Sequence, residues 1–216
     1  MKHMKVPRVA LLAGLLTAVA TAQAGGYTEG PDLSNDRLAP SAITLDLGSN
    51  IVLGAMGYRG AVLDRDFFKF TIPAGLQLSA LVLGPATEVG GCCSFIAVQA
   101  GTTITVDPDT VSSGATLLGW HIYGSADKGT DILPAIGFPI DKIGFSGPLP
   151  AGTYSWWVQE LAANGPYVYE FDFQLTAVPE PASLLLLAAG ALFLLALTQR
   201  RAGISATVEF GPINPG

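Results

Sequence analysis

The chain has 216 residues, which is enough for one domain with additional segments at its ends. Half of the residues are hydrophobic, 13% are charged and the formal net charge is −6. The two ends hold five of the 11 basic residues and one of the 17 acidic residues, so a chain without its ends would carry a charge of about −10. Because such a charge repels phosphate backbones, the composition argues against nucleic-acid binding. It is compatible with cations and with neutral polysaccharide.

The N-terminus has the three regions of a secretory signal peptide. Basic residues within the first eight positions precede an apolar run over 9–20, and Ala22 and Ala24 form a small-residue cleavage site before Gly25. The apolar run is short for a membrane span. We therefore expect residues 1–24 to direct export by the Sec machinery and to be removed by signal peptidase. An uncleaved N-terminal anchor is the alternative.

Residues 25–40 are rich in Gly, Pro, Asp and Asn, which predicts an irregular lead-in with room for a short edge strand. From 41 to 177 apolar and polar residues alternate with a period of two, and Gly/Pro turns separate the alternating segments. The alternating segments are 43–47, 68–72, 76–83, 104–106, 118–122, 154–158 and 167–175. This pattern predicts an all-β domain over 41–177, built as an antiparallel β-sandwich or jelly roll.

Pairs of acidic residues lie at several predicted turns, and the pair Asp64 and Asp66 is a candidate metal site. Carboxylates two residues apart in a loop can share a hard cation with backbone carbonyls, as calcium sites do. The alternative is that these side chains only cap turns in water. No other cofactor is expected.

Two adjacent aromatic residues, Trp156 and Trp157, are candidates for sugar binding. On a strand one of the two rings points away from the other, so one would fill the core while the other would be exposed or at its rim. An exposed aromatic face often marks a binding site. Packing of both rings in the core and at its edge is the alternative.

The two cysteines of the chain, Cys92 and Cys93, are neighbours. Export permits a disulfide, and adjacent cysteines can pair only through a strained ring. A redox-labile or metal-binding turn is one interpretation; incidental thiols, or pairing between chains, is the other. The spacing matches no zinc motif.

The sequence of the mature chain shows no recognisable catalytic motif. His121 is its single histidine, and neither a nucleophile elbow nor a zinc-protease motif is present. His121 lies on a predicted strand, where an outward-facing residue without catalytic role is expected. We therefore predict that the protein is not an enzyme.

The C-terminal part contains an uncharged segment from 181 to 199 that is rich in leucine and apolar all round. About 20 helical residues span the hydrocarbon core of a bilayer, so the segment predicts a transmembrane helix. Arg200 and Arg201 follow directly and place that end in the cytoplasm. A buried core helix is the alternative. A polar tail over 202–216 ends the chain.

The segment Val178-Pro179-Glu180-Pro181, followed by an apolar span and a basic pair, resembles the PEP-CTERM sorting signal of Gram-negative bacteria. In that family a membrane protease-transpeptidase, the exosortase, recognises the Pro-Glu-Pro element and cleaves there. The resemblance implies that residues 178–201 form the sorting signal. It assigns recognition to Pro179, Glu180 and Pro181, and the stop to Arg200 and Arg201. Family members usually end soon after the basic pair, whereas this chain continues to 216.

Two shorter motifs resemble the bacterial pre-peptidase C-terminal domain, a small β-sandwich appended to secreted enzymes and surface proteins. The first motif is an Asp-x-Asp-x-Phe-x-Phe strand, and the second is an Ala-Gly-x-Tyr strand. The matching residues are Asp64, Asp66, Phe68, Phe70, Ala151, Gly152 and Tyr154. This resemblance also implies a β-sandwich for the middle domain.

These features together predict an exported protein that is anchored in the inner membrane and then processed by an exosortase. Its destination would be the cell surface or the extracellular matrix of a Gram-negative bacterium, in association with exopolysaccharide or biofilm. A β-sandwich module that binds carbohydrate or calcium is the alternative function.

Overall fold

The computed structural model describes residues 25–110, 114–138, 140–179 and 182–204, and within the last range it describes side chains for 186–197. It divides into two compact units, Met1–Thr176 and Ala177–Gly216. The signal peptide predicted over 1–24 lies outside the described residues, as does the tail from 205 onward.

The first unit is built from β-strands with little helix. In chain order the strands are β1 (Gly25–Thr28), β2 (Ser41–Ala42), β3 (Gly48–Arg59), β4 (Val62–Asp64), β5 (Asp66–Ile72), β6 (Leu76–Leu83), β7 (Ser94–Ala100), β8 (Gly119–Tyr123), β9 (Gly152–Gln159) and β10 (Tyr167–Ala177). A 3₁₀ turn (Ser125–Asp127) and the short helix α1 (Leu133–Gly137) follow β8. The helix α2 (Ala182–Ile204) belongs to the second unit.

The strands form two five-stranded sheets. The first has the order β1-β3-β10-β6, with β4 paired to β3, and the second has the order β2-β5-β9-β7-β8. In the first sheet β10 runs antiparallel to β3, from Tyr167 opposite Met56 to Leu175 opposite Gly48. In the second sheet β9 lies antiparallel to both β5 and β7. The long strands β3, β9 and β10 therefore occupy interior positions.

Aromatic side chains pack the two sheets against each other. Phe173 of β10 in the first sheet meets Phe70 of β5 and Trp156 of β9 in the second, with ring centroids 5.1 and 5.0 Å apart. Tyr123 of β8 meets Phe171 of β10 in the same way, at 5.6 Å. All five side chains are buried. These contacts form one apolar core, because alternate residues of each strand point toward the other sheet.

A second, smaller core covers the opposite face of the second sheet. Phe67, Ala97 and Trp157 point away from the main core and pack with Ile104 and Leu117. The last two residues come from the connection between β7 and β8, so this connection lies over the outer face of the sheet. Neighbouring residues of β5 and β9 consequently fill different cores.

The all-β fold expected from the alternating pattern is confirmed. The pairing is antiparallel except for the short strands β1 and β2, which pair in parallel with β3 and β5. The strands predicted over 43–47 and 104–106 are wrong, because those segments have no strand structure although Ile43, Leu45 and Ile104 are buried. The strands β3, β4 and β7 were not predicted.

The C-terminal apolar segment forms the helix α2, which has 23 residues. Its described apolar side chains are exposed; they include Leu186, Leu187, Leu192, Phe193, Leu194, Leu195 and Leu197. Within the part of the chain that the structure describes, no helix meets the length and apolarity required to cross a membrane, so the predicted transmembrane helix is not confirmed.

The packing around Phe173 predicts a large loss of stability on truncation. Phe173→Ala should lower the free energy of unfolding by about 3–5 kcal/mol, because it leaves a cavity between the sheets. Val62→Ala, at a position that is 68% exposed, should change it by less than about 0.5 kcal/mol. Denaturant unfolding followed by tryptophan fluorescence measures both values. Equal losses in the two variants would contradict the packing described above.

Candidate functional site

The sorting segment follows the last strand of the first unit without a long connection. Strand β10 ends at Ala177, and Val178 is 45% exposed. Pro179 is the last described residue before the helix, while Glu180 and Pro181 lie outside the described residues. The Pro-Glu-Pro element therefore begins two residues after the strand ends.

Helix α2 begins at Ala182 and includes the backbone of Arg200 and Arg201, whose side chains lie outside those described. The predicted cleavage residues Ala22 and Ala24 also lie outside the described residues. Their roles stay predictions.

Three acidic side chains of the first unit converge. One carboxylate oxygen from each of Glu29, Asp32 and Asp66 lies within 4.8 Å of the others. Glu29 and Asp32 follow strand β1, and Asp66 is the first residue of β5 in the other sheet. We call these three residues the acidic group.

Backbone donors hold Glu29 in place. Its Oε1 accepts a hydrogen bond from the Leu33 amide at 2.7 Å, and its Oε2 accepts one from the Ala55 amide at 2.8 Å. Asp32 is half-exposed and its Oδ1 lies 3.3 Å from Nη2 of Arg59. The acidic group therefore has one fixed carboxylate and one at the surface, in addition to Asp66.

Asp64 lies close to the acidic group but is bonded elsewhere. Its Oδ2 accepts a bond from Nε of Arg59 at 2.9 Å, and its Oδ1 accepts one from Nδ2 of Asn35 at 3.0 Å. Since both oxygens already have donors, the structure does not pair Asp64 with Asp66 as the sequence prediction did. It brings Asp66 together with Glu29 and Asp32 instead.

Asp66 is fully buried, and neither of its carboxyl oxygens has a hydrogen-bond partner in the described chain. Burial raises the pKa of Asp66 to about 8, because the charged form loses its water. The nearby Tyr169 hydroxyl opposes this rise in pKa, while the charges of Glu29, Asp64 and Asp32 add to it.

Tyr169 of β10 completes the surroundings of Asp66. Its hydroxyl is buried and also has no hydrogen-bond partner among the described residues. Burial and the charge of Asp66 raise the pKa of Tyr169. Gly54 of β3 makes room for this arrangement, because a side chain there would collide with the Tyr169 hydroxyl and touch Oε2 of Glu29.

This arrangement can hold a proton or a cation. Oxygen ligands alone, with no nitrogen or sulfur in the acidic group, suit hard ions such as calcium and magnesium. Neither Glu29 nor Asp32 was predicted as a site residue. The sequence signal that could have found them is the Glu-x-x-Asp spacing just after the first strand, considered together with the Asp-x-Asp motif at 64–66.

The tryptophans predicted to bind sugar are both buried. Trp156 is 0% exposed in the main core and Trp157 is 2% exposed in the smaller core. This burial contradicts the predicted stacking platform at Trp156 and Trp157. Its physical reason is the connection between β7 and β8, which covers the face where Trp157 would otherwise meet solvent.

Cys92 and Cys93 form a disulfide with each other, in the loop before β7. The buried Glu160 fixes this loop, since its Oε2 accepts bonds from the Gly90 amide at 3.0 Å and from the Ser94 hydroxyl at 2.6 Å. With both sulfurs paired in this way, the structure does not support pairing between chains or metal binding by free thiols.

His121 of β8 is half-buried, and burial lowers the pKa of its ring. The described residues make no hydrogen bond to this ring. The nearby charge of Asp127 opposes this lowering of the pKa of His121.

A family model described as the PEP-CTERM protein-sorting motif matches residues 177–201. A search of curated proteins gave no match, and neither did a search of solved structures. The family match confirms the predicted sorting signal, and it supports an exported protein that an exosortase processes.

The burial of Asp66 predicts an unusual pH dependence of stability in the presence of a chelator. A carboxyl group with a pKa of about 8 in the folded chain and about 4 in the unfolded chain binds more protons when folded. The free energy of unfolding should therefore fall as the pH rises from about 4 to about 8, with a limiting slope of about 1.4 kcal/mol per pH unit from this residue.

Asp66→Asn should remove this contribution, because asparagine keeps the volume and carries no charge. The exposed Glu88→Gln is the matched control and should leave it unchanged. Unfolding curves at a series of pH values give the comparison. The burial of an unpartnered Asp66 would be disproved by the same pH dependence in both variants.

Proposed function

We propose that this exosortase-sorted protein is an exported β-sandwich which helix α2 anchors in the inner membrane until processing, and which then resides at the cell surface or in the extracellular matrix. The observation that carries the proposal is the sorting motif over residues 177–201. The order of features along the chain supports it, since a signal-peptide pattern precedes the β-domain and the sorting motif follows it.

The character of helix α2 supports the anchoring step. The segment from 181 to 199 carries no charge, and the described apolar side chains of the helix are exposed. A helix satisfies its own backbone hydrogen bonds, so an apolar helix is stable in lipid. In this proposal Arg200 and Arg201 hold the end of the helix at the cytoplasmic side until cleavage.

The proposed partners follow from this route. The Sec machinery and signal peptidase act on the N-terminal segment, and the exosortase acts at Pro179, Glu180 and Pro181. The sandwich itself we propose to be non-catalytic. Two observations support that part of the proposal. His121 is the single histidine of the mature chain, and the described residues make no hydrogen bond to its ring.

Association with exopolysaccharide or biofilm material completes the proposal. The acidic mature chain supports it to the extent that such a charge is compatible with neutral polysaccharide and with bridging cations. The acidic group favours a second candidate function, the binding of calcium. The described structure offers no aromatic platform at Trp156 and Trp157 for a sugar ligand.

The sorting step predicts a specific effect of changing the Pro-Glu-Pro element. In a host that contains the exosortase, Glu180→Gln or Pro181→Ala should leave the full-length chain in the inner-membrane fraction, because recognition fails. Glu209→Gln removes the same charge from the tail and should be processed like the native chain. Immunoblots of inner-membrane, outer-membrane and medium fractions provide the measurement. Normal processing of Glu180→Gln and Pro181→Ala would refute the assigned recognition element.

A further inference from the structure

Two buried oxygen-bearing side chains lie side by side without partners. The Asp66 carboxyl and the Tyr169 hydroxyl are both fully buried, and neither has a hydrogen-bond partner among the described residues. Each unsatisfied buried polar group destabilises a fold, and a carboxylate does so most strongly. Two such groups close to each other indicate a ligand that supplies what the chain does not.

The acidic group adds two further carboxylates at that place. Oxygens of Glu29, Asp32 and Asp66 approach within 4.8 Å of one another. Among the described residues, one ion pair involves a member of this group, the 3.3 Å contact between Arg59 and Asp32. Arg59 also binds Asp64 at 2.9 Å, so its charge is shared. The acidic group therefore has an excess of negative charge around an unpartnered buried carboxyl.

The ligand chemistry of the acidic group favours calcium among the hard cations, because calcium accepts several protein oxygens in flexible geometry whereas magnesium usually keeps several waters. Oxygens bound to one calcium ion can lie up to about 5 Å apart, because each ligand distance is about 2.3–2.6 Å. For magnesium the corresponding limit is about 4 Å, and its octahedral geometry is strict. The oxygens of the acidic group lie within 4.8 Å of one another, which is inside the limit for calcium. Zinc and copper prefer the nitrogen and sulfur ligands that this group lacks.

We infer that Glu29, Asp32 and Asp66 bind one calcium ion, with the Tyr169 hydroxyl beside it. Such an ion would connect the segment after β1 to β5, and β1 and β5 belong to different sheets. It would thereby fasten the N-terminal part of the mature domain to the rest of the core. An exported protein meets millimolar calcium, for which sites of modest affinity suffice. The inference is independent of whether the exosortase cleaves the chain.

Thermal unfolding of the purified full-length chain in detergent micelles tests this inference. The probe is CaCl₂ at about 10 mM, compared with MgCl₂ at the same concentration and with EGTA, near neutral pH. For a dissociation constant below about 1 mM, calcium should raise Tm by at least about 3–6 °C, and magnesium should raise it less. Isothermal titration calorimetry should give one calcium ion per chain.

Asp66→Asn and Asp32→Asn should each weaken calcium binding at least about tenfold and remove most of the shift in Tm. Asp32 is half-exposed, so its variant keeps the test decisive even if Asp66→Asn does not fold. Glu88→Gln, which removes an exposed charge outside the acidic group, should respond to calcium like the native chain. No rise in Tm of the native chain at about 10 mM CaCl₂ would overturn the inference. So would equal rises in the native chain and both aspartate variants.

Discussion

The contact between the two sheets around Phe173 is the interaction on which the rest of the structure depends. Phe173 meets aromatic rings of β5 and β9, and these contacts fix strand β10 in the interior of the first sheet. Strand β10 in turn carries Tyr169 toward the acidic group, and the sorting segment follows its last residue, Ala177. One strand therefore supplies a wall of the candidate calcium site and leads directly into the processing signal.

The sequence predicted the fold best where a strand has one buried face. Over 167–175 the apolar residues fall at every second position, and the structure buries most of them. It failed at β3, where Gly48, Gly54 and Gly57 suggest a break rather than a strand. At Gly54 the missing side chain has a structural reason, since it leaves room for Tyr169 and Glu29. The alternation of apolar and polar residues carries no information about such close contacts between a glycine and distant side chains.

The sequence predicted one residue of the acidic group, Asp66, and missed the other two, because distant parts of the chain form the group. Asp66 is conspicuous in its Asp-x-Asp motif, but its companions lie more than 30 positions earlier in a segment without periodicity. The second residue of the predicted pair, Asp64, accepts hydrogen bonds from Arg59 and Asn35, and Asn35 is also remote from it in sequence. Trp157 was misjudged because a connection, rather than a strand, covers its ring. Long-range packing decides all three outcomes. By contrast, the sorting signal is contiguous, so its order of Pro-Glu-Pro, apolar segment and basic pair could be recognised directly.

The central claim is that the β-domain is a cargo delivered beyond the inner membrane and separated there from helix α2. Its acidic composition, its paired cysteines and its terminal signals are consistent with that route. The most direct test is the intact mass of the protein recovered from the cell surface or the medium of a host with an exosortase. The account predicts a chain that starts at Gly25 and ends before Ala182. A mass that includes residues through Arg201 would contradict it.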